Sequence, residues 1–95
     1  MKVSNRVIEQ FKVCCPISYL KCDSITDVEY KIKRAVTLGT KFAEYGETKH
    51  IQYYHLQFTV QNGKVIDLTK NYDRYIDVRE NVKKAYDRLE GKLLV

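Results

Sequence analysis

The sequence predicts an α+β domain, a small antiparallel sheet of three to four strands with two or three helices packed on one face. Three observations lead there. Two stretches, 24–39 and 77–90, repeat apolar residues every three to four positions, the period of an amphipathic helix. Between them, 50–69 alternates apolar and polar residues around Asn62-Gly63, the pattern of a β-hairpin. The 95 residues are 44% hydrophobic and 31% charged, with one proline and four glycines. That composition fits a single folded domain over 1–95 and excludes a linker or a low-complexity chain. No internal repeat is present.

The first 23 residues admit two readings. Val3, Val7, Phe11 and Cys14 fall at helical spacing, whereas Phe11, Val13 and Cys15 alternate as in a strand. Helix over Ser4–Val13 is the preferred reading, with residues 4–15 left open, and Pro16 ends either element. Ile17 to Cys22 is short and alternating.

In the stretch 24–39, Ile25, Val28, Ile32 and Ala35 form the apolar stripe. Ser24 and Thr26 are both suited to cap its start, Thr26 with Glu29 having the capping-box spacing. Gly39 is placed to end it in the left-handed conformation. Thr40 to Tyr45 reads as a strand turning at Gly46–Thr48. His50 to Val60 reads as one strand, with Tyr54, Leu56, Phe58 and Val60 on one face and Tyr53, His55, Gln57 and Thr59 on the other.

The partner strand, Lys64 to Thr69, sets a choice of register. A two-residue Asn62-Gly63 turn pairs Val60 with Val65 and sends Ile66 and Leu68 to the polar face. A three-residue loop, Gln61-Asn62-Gly63 with Gly63 at positive φ, pairs Phe58 with Ile66 and Leu56 with Leu68. Burial favours the three-residue loop. The helix from Asp77 to Glu90 has the stripe Val78, Val82, Ala85 and Leu89, extended by Tyr75 and Leu93. Asp77 and Glu80 would cap its start and Gly91 would stop it.

Seventeen Lys and Arg against twelve Asp and Glu give a net charge of +5. A positive field favours acidic partners: a protein or nucleoprotein complex with an acidic surface, with nucleic acid possible. The charges are interleaved, not blocked, and the longest basic cluster is Lys31-Ile32-Lys33-Arg34. No apolar run has the length of a leader or a membrane span, so the expected place is the cytoplasm, with no membrane partner. Cys14, Cys15 and Cys22 form a poor disulfide framework, which agrees with a reducing compartment. Abundant Lys, Ile and Tyr with scarce Ala, Gly and Pro point to an A/T-rich gene, as in many low-G/C bacteria and their phages and plasmids.

Chemistry-bearing patterns are few. Cys14, Cys15, Cys22, His50 and His55 lack the paired spacing of a metal site, so no metal and no cofactor are expected. Asp23/Asp27 and Asp73/Asp77 stand at predicted helix starts, where acids cap free N–H groups. No nucleophile signature and no glycine-rich phosphate loop occur, so catalysis is not expected.

Eight tyrosines without a tryptophan are the feature that asks for a role. Lys49, Tyr53, His55, Gln57, Lys70, Tyr72 and Arg74 gather around the hairpin as a candidate partner-binding surface. Lys31, Arg34, Lys83, Lys84 and Arg88 on the two helices form an alternative basic face. The expected function is a small non-enzymatic binding protein of inhibitor or adaptor type. The alternative is a domain that binds nucleic acid directly through basic and tyrosine residues.

Overall fold

Ser4 sets the entry of the chain. In the computed structural model, which describes residues 1–90, Lys2–Val3 (β1) runs extended and Ser4 then caps α1, Asn5–Cys14. The Ser4 hydroxyl accepts from the Val7 amide at 3.3 Å. Val7, Ile8 and Phe11 are the buried face of α1, which decides the N-terminal reading for helix. Pro16 does more than end it. Standing at the first position of α2, Pro16–Leu20, where its missing N–H costs nothing, it opens a second short helix in place of the alternation read there.

α3, Ile25–Leu38, buries Val28, Ile32, Ala35 and Val36, while Ile25 is exposed at its first turn. Its cap is Ser24 with Asp27, not Thr26 with Glu29: Ser24 Oγ accepts from the Asp27 amide, and Asp27 accepts from the Asp23 amide at 3.0 Å. Gly39 ends the helix in extended conformation (φ −70°, ψ 172°), not left-handed. Glycine is required for another reason. A Cβ at Gly39 would lie 2.6 Å from Ile51 Cγ2 and 2.8 Å from two carbonyl oxygens, so the chain passes against the sheet only without one.

The sheet continues with β2 (Thr40–Tyr45), β3 (Thr48–Tyr53), β4 (Leu56–Gln61) and β5 (Lys64–Lys70). Its order is β1-β5-β4-β3-β2, with β1 parallel to β5 and the rest antiparallel. It is therefore a five-stranded mixed sheet, not an antiparallel one of three or four strands. One added strand is β1, and the other arises because 50–60 is not continuous. Tyr54 (φ 55°) and His55 turn the chain, so Tyr53 pairs with Leu56 and Ile51 with Phe58. Non-glycine residues rarely take positive φ. Here two main-chain bonds between Tyr54 and Ile76, 2.7 and 3.2 Å, hold it.

The β4–β5 turn corrects the expected register. Val60 faces Val65 and Gln61 faces Lys64 across a two-residue turn in which Asn62 (φ 51°) and Gly63 (φ 73°) are both left-handed. Pairing of Phe58 with Ile66 and Leu56 with Leu68 does not occur. A bulge at Ile66 shifts the register, so Thr59 faces Asp67 and Phe58 faces Leu68. The extra residue satisfies both the Asn-Gly turn and the burial of Val65 and Leu68.

The core lies between one sheet face and the helices, with Phe58, Ile32, Leu68, Val7, Val28 and Val65 fully buried. Each such side chain contributes about 1.5–3 kcal/mol of burial. α4, Glu80–Leu89, starts later than predicted and has no side-chain cap, so Asp77 stands outside it. Its expected stripe is turned outward. Val82 is 42% and Leu89 88% exposed, Ala85 is exposed, and of the stripe Val78 alone joins the core, ahead of the helix. Buried instead is Asp87, which draws two bonds from Arg34 Nη1 (2.9 and 3.1 Å) and one from the Tyr30 hydroxyl of α3. That polar anchor sets the rotation of α4. Gly91 and Leu93, assigned above to the end of this helix, lie outside the described residues. Among the described residues no helix is long and apolar enough to cross a membrane.

Candidate docking face

The strands and the turn at Tyr54-His55 place two sets of rings at one end of the sheet, the second of them on the side away from α3. The first set begins in the core and ends at the surface. Tyr53 meets Tyr54 edge-on (4.7 Å), Tyr54 meets Tyr75 (5.7 Å), Tyr75 meets His55 (4.7 Å), and His55 meets Tyr72 (5.7 Å). Tyr72 is 74% exposed and Tyr75 55%. The second set crosses β2 and β3, where His50 meets Phe42 (6.0 Å) and Tyr45 (6.1 Å). A register shift at Phe42 brings its ring to this side.

The strap of residues 71–78 joins the two sets. It is pinned by the Asn71 amide donating to the His55 carbonyl (2.7 Å) and by the two bonds between Tyr54 and Ile76. Gln52, fully buried, donates through Nε2 to the carbonyls of Tyr54 (2.8 Å) and Arg74 (3.1 Å). His55 Nδ1 lies 3.2 Å from the Arg74 carbonyl. A carbonyl only accepts, so Nδ1 carries the proton and Nε2 of the neutral ring is left as an acceptor. Asn71 Nδ2 donates to Gln57 Oε1 (3.2 Å). The Arg74 guanidinium lies 4.2 Å over the Phe42 ring and makes no ion pair among the described residues. Such a stacked cation keeps its N–H edges available.

Of the residues chosen from the sequence, His55, Gln57, Tyr72 and Arg74 come together here. Tyr53 does not. It is buried in the core, because the turn at Tyr54-His55 reverses the alternation on which its exposure rested. Lys49 faces Val60 and Lys70 faces Leu56, so both belong to the helix side of the sheet and not to this face. The alternative basic face is not continuous either. Arg34 and Lys83 are turned inward, paired with Asp87 and Glu80, while Lys84 and Arg88 are exposed and Lys31 is half-buried. Tyr75, Phe42, His50 and Tyr45 were missed. Tyr75 had been assigned to the apolar side of the last helix, whereas the alternation of 40–45 against 48–53 is the signal that joins the other three.

Burial raises the Cys15 thiol to about 11, with Cys14 beside it adding to the effect, so at neutral pH it stays protonated. That is the reverse of an activated nucleophile. All three cysteines are free. Among the described residues no group of three or more His, Cys, Asp or Glu side chains converges to hold a metal ion. Set against protein-family models, curated proteins and solved structures, the chain matches none.

Proposed function

We propose that this chain is a non-enzymatic binding protein of inhibitor or adaptor type, and that it docks through Tyr72, Tyr75, His55 and Arg74 onto an acidic face of a protein or nucleoprotein partner. The observation that carries this reading is the pair of exposed tyrosines on a strap pinned to the sheet by main-chain bonds. Rigid, half-wet aromatic rings bury large area at little entropic cost, which is why tyrosine and arginine dominate interface energetics. The net charge of +5 and Arg74, which makes no ion pair among the described residues, complement an acidic partner. The protonated Cys15 gives no support to covalent chemistry.

Direct binding of nucleic acid is the weaker reading. Phosphate contacts need a row of free cations, and this face carries Arg74 while Lys49 and Lys70 lie across the sheet.

The test is a pull-down from the native host at physiological salt, with and without nuclease, comparing the natural chain with a Tyr72→Ala/Arg74→Ala variant. A protein captured despite nuclease, and lost with the variant at unchanged melting temperature, supports docking here. Capture abolished by nuclease overturns it in favour of nucleic acid. Capture that the variant retains moves the site elsewhere.

A further inference from the structure

A second site lies on the helix side of the sheet, independent of the docking face. A cavity of about 250 Å³ opens where α2, α3, α4 and the Tyr54-His55 turn meet. Three cations line it, Lys31, Arg34 and Lys83, and no Asp or Glu does. Tyr53 and Tyr54 complete the polar wall, and Phe11, Ala35 and Leu56 form an apolar one.

Arg34, Lys31, Lys83 and Tyr53 are the donors of this wall, whereas the Tyr54 hydroxyl spends its proton on the Val78 carbonyl (2.9 Å). Arg34 reaches Asp87 through Nη1 alone, and its Nε–H is buried without an acceptor among the described residues. A buried guanidinium N–H with no acceptor is costly, and an anion in the cavity would satisfy it. Lys31 Nζ finds a carbonyl, that of Ser18, at a long 3.4 Å and has no carboxylate partner among the described residues. Lys83 donates to Tyr54 Oη (2.9 Å) and to Glu80 (2.7 Å). Burial works against the Lys83 charge, but those two bonds outweigh it and hold the ammonium above its usual range. No hydrogen bond of the Tyr53 hydroxyl is formed with a described residue, and burial keeps it protonated. Asp87 and Glu80 balance Arg34 and Lys83, which leaves Lys31 as the cation of this wall with no ion pair among the described residues.

We propose that this cavity binds a small organic phosphate, its phosphoryl oxygens held by Arg34 Nε, Lys31, Lys83 and the Tyr53 hydroxyl, its compact apolar body against Phe11, Ala35 and Leu56. Several donors lining one cavity suit a group with three terminal oxygens better than a planar carboxylate with two. The volume is below that of drug-sized pockets, which fits a body of one ring or a short chain.

The test titrates the whole chain with phenyl phosphate, inorganic phosphate and benzoate, followed by calorimetry and by NMR shifts of the Tyr53 and Lys83 resonances. Phenyl phosphate should saturate, with inorganic phosphate weaker and benzoate weakest. Arg34 is left in place because it also holds Asp87. Lys31→Gln and Tyr53→Phe should each weaken phenyl phosphate by about tenfold, the loss of one charge-assisted or one hydroxyl bond. Neither should change the melting temperature of the free protein. No saturable binding, binding that both variants keep in full, or benzoate matching phenyl phosphate would each overturn the proposal.

Discussion

α3 and α4 carry the same kind of apolar periodicity and meet the rest of the molecule with opposite sides. α3 puts Val28, Ile32, Ala35 and Val36 into the core. α4 turns Lys83 and Asp87 inward and leaves Val82, Ala85 and Leu89 toward solvent. What separates them is the surface each one finds. α3 lies over β3 and its neighbours, where Ile51, Phe58 and Val60 offer an apolar bed. α4 lies against α3, whose available flank at that point is Tyr30 and Arg34. A buried Arg with no carboxylate would be an uncompensated charge costing about 3–5 kcal/mol, comparable with what burial of a short apolar stripe returns, and the flank of α3 offers that stripe no apolar bed. Periodicity therefore specifies a helix, but the partner's chemistry specifies its rotation.

The comparison breaks most directly at Asp87, 1% exposed. Asp87→Ala leaves Arg34 buried and unpaired, with an expected loss of about 3–5 kcal/mol in urea or thermal melts. Replacing both partners, Arg34→Met with Asp87→Leu, should cost markedly less than Asp87→Ala alone, since the penalty belongs to the orphaned charge. A loss below about 1 kcal/mol for Asp87→Ala would mean that α4 is not held by this pair. Ile32→Ala tests the other helix. A fully buried side chain packed against the sheet should cost about 2–4 kcal/mol when truncated.

The same reasoning explains which features the sequence alone revealed. Both long helices, the strand Thr40–Tyr45 and the hairpin around Asn62-Gly63 follow from periods and turn residues acting locally. Three features do not. The two-residue β1 gains its place by tertiary contact, its Lys2 amide and the following Ser4 amide bonding the Gly63 and Val65 carbonyls at 3.0 Å each. The break at Tyr54-His55 has no glycine, asparagine or proline to mark it, because the strap at Ile76, more than twenty residues on, stabilises the turn. The bulge at Ile66 resolves a conflict between turn chemistry and burial that alternation with period two cannot express. At the candidate docking face, the grouping of His55, Gln57, Tyr72 and Arg74 was legible because turn and strap residues stay near the hairpin in sequence. Tyr53 was misplaced for one reason, a single uninterrupted strand assumed over 50–60.

A smaller change sharpens the polar side of the contrast. Tyr30→Phe removes one hydroxyl donor from Asp87 while keeping the ring beside Tyr86, 6.0 Å away. Arg34 still satisfies the carboxylate, so the expected loss is about 1.5–3 kcal/mol, the net contribution of one hydrogen bond to a charged group. A loss as large as that of Asp87→Ala would make the hydroxyl, not the guanidinium, the anchor of α4.

The smallest effect is expected where the periodicity pointed to the core. Val82→Ala removes two methyl groups from a side chain already 42% in water, and Leu89→Gln replaces an apolar group that is 88% exposed. Truncation on the core side of a helix leaves a cavity; here solvent fills the space, and the transfer term is small. Both variants should therefore fall within about 0.5 kcal/mol of the natural chain, and alanine's better helix propensity offsets part of the Val82 loss. The measurement is a pair of urea melts read against Ile32→Ala in the same buffer. If Val82→Ala costs as much as Ile32→Ala, the stripe is buried in solution, α4 has rotated about its axis, and the ion pair with Arg34 cannot be what positions it. If Leu89→Gln alone is costly, the C-terminal turn of α4 is covered while its first turn is not, which would confine the polar anchoring to the stretch from Lys83 to Asp87.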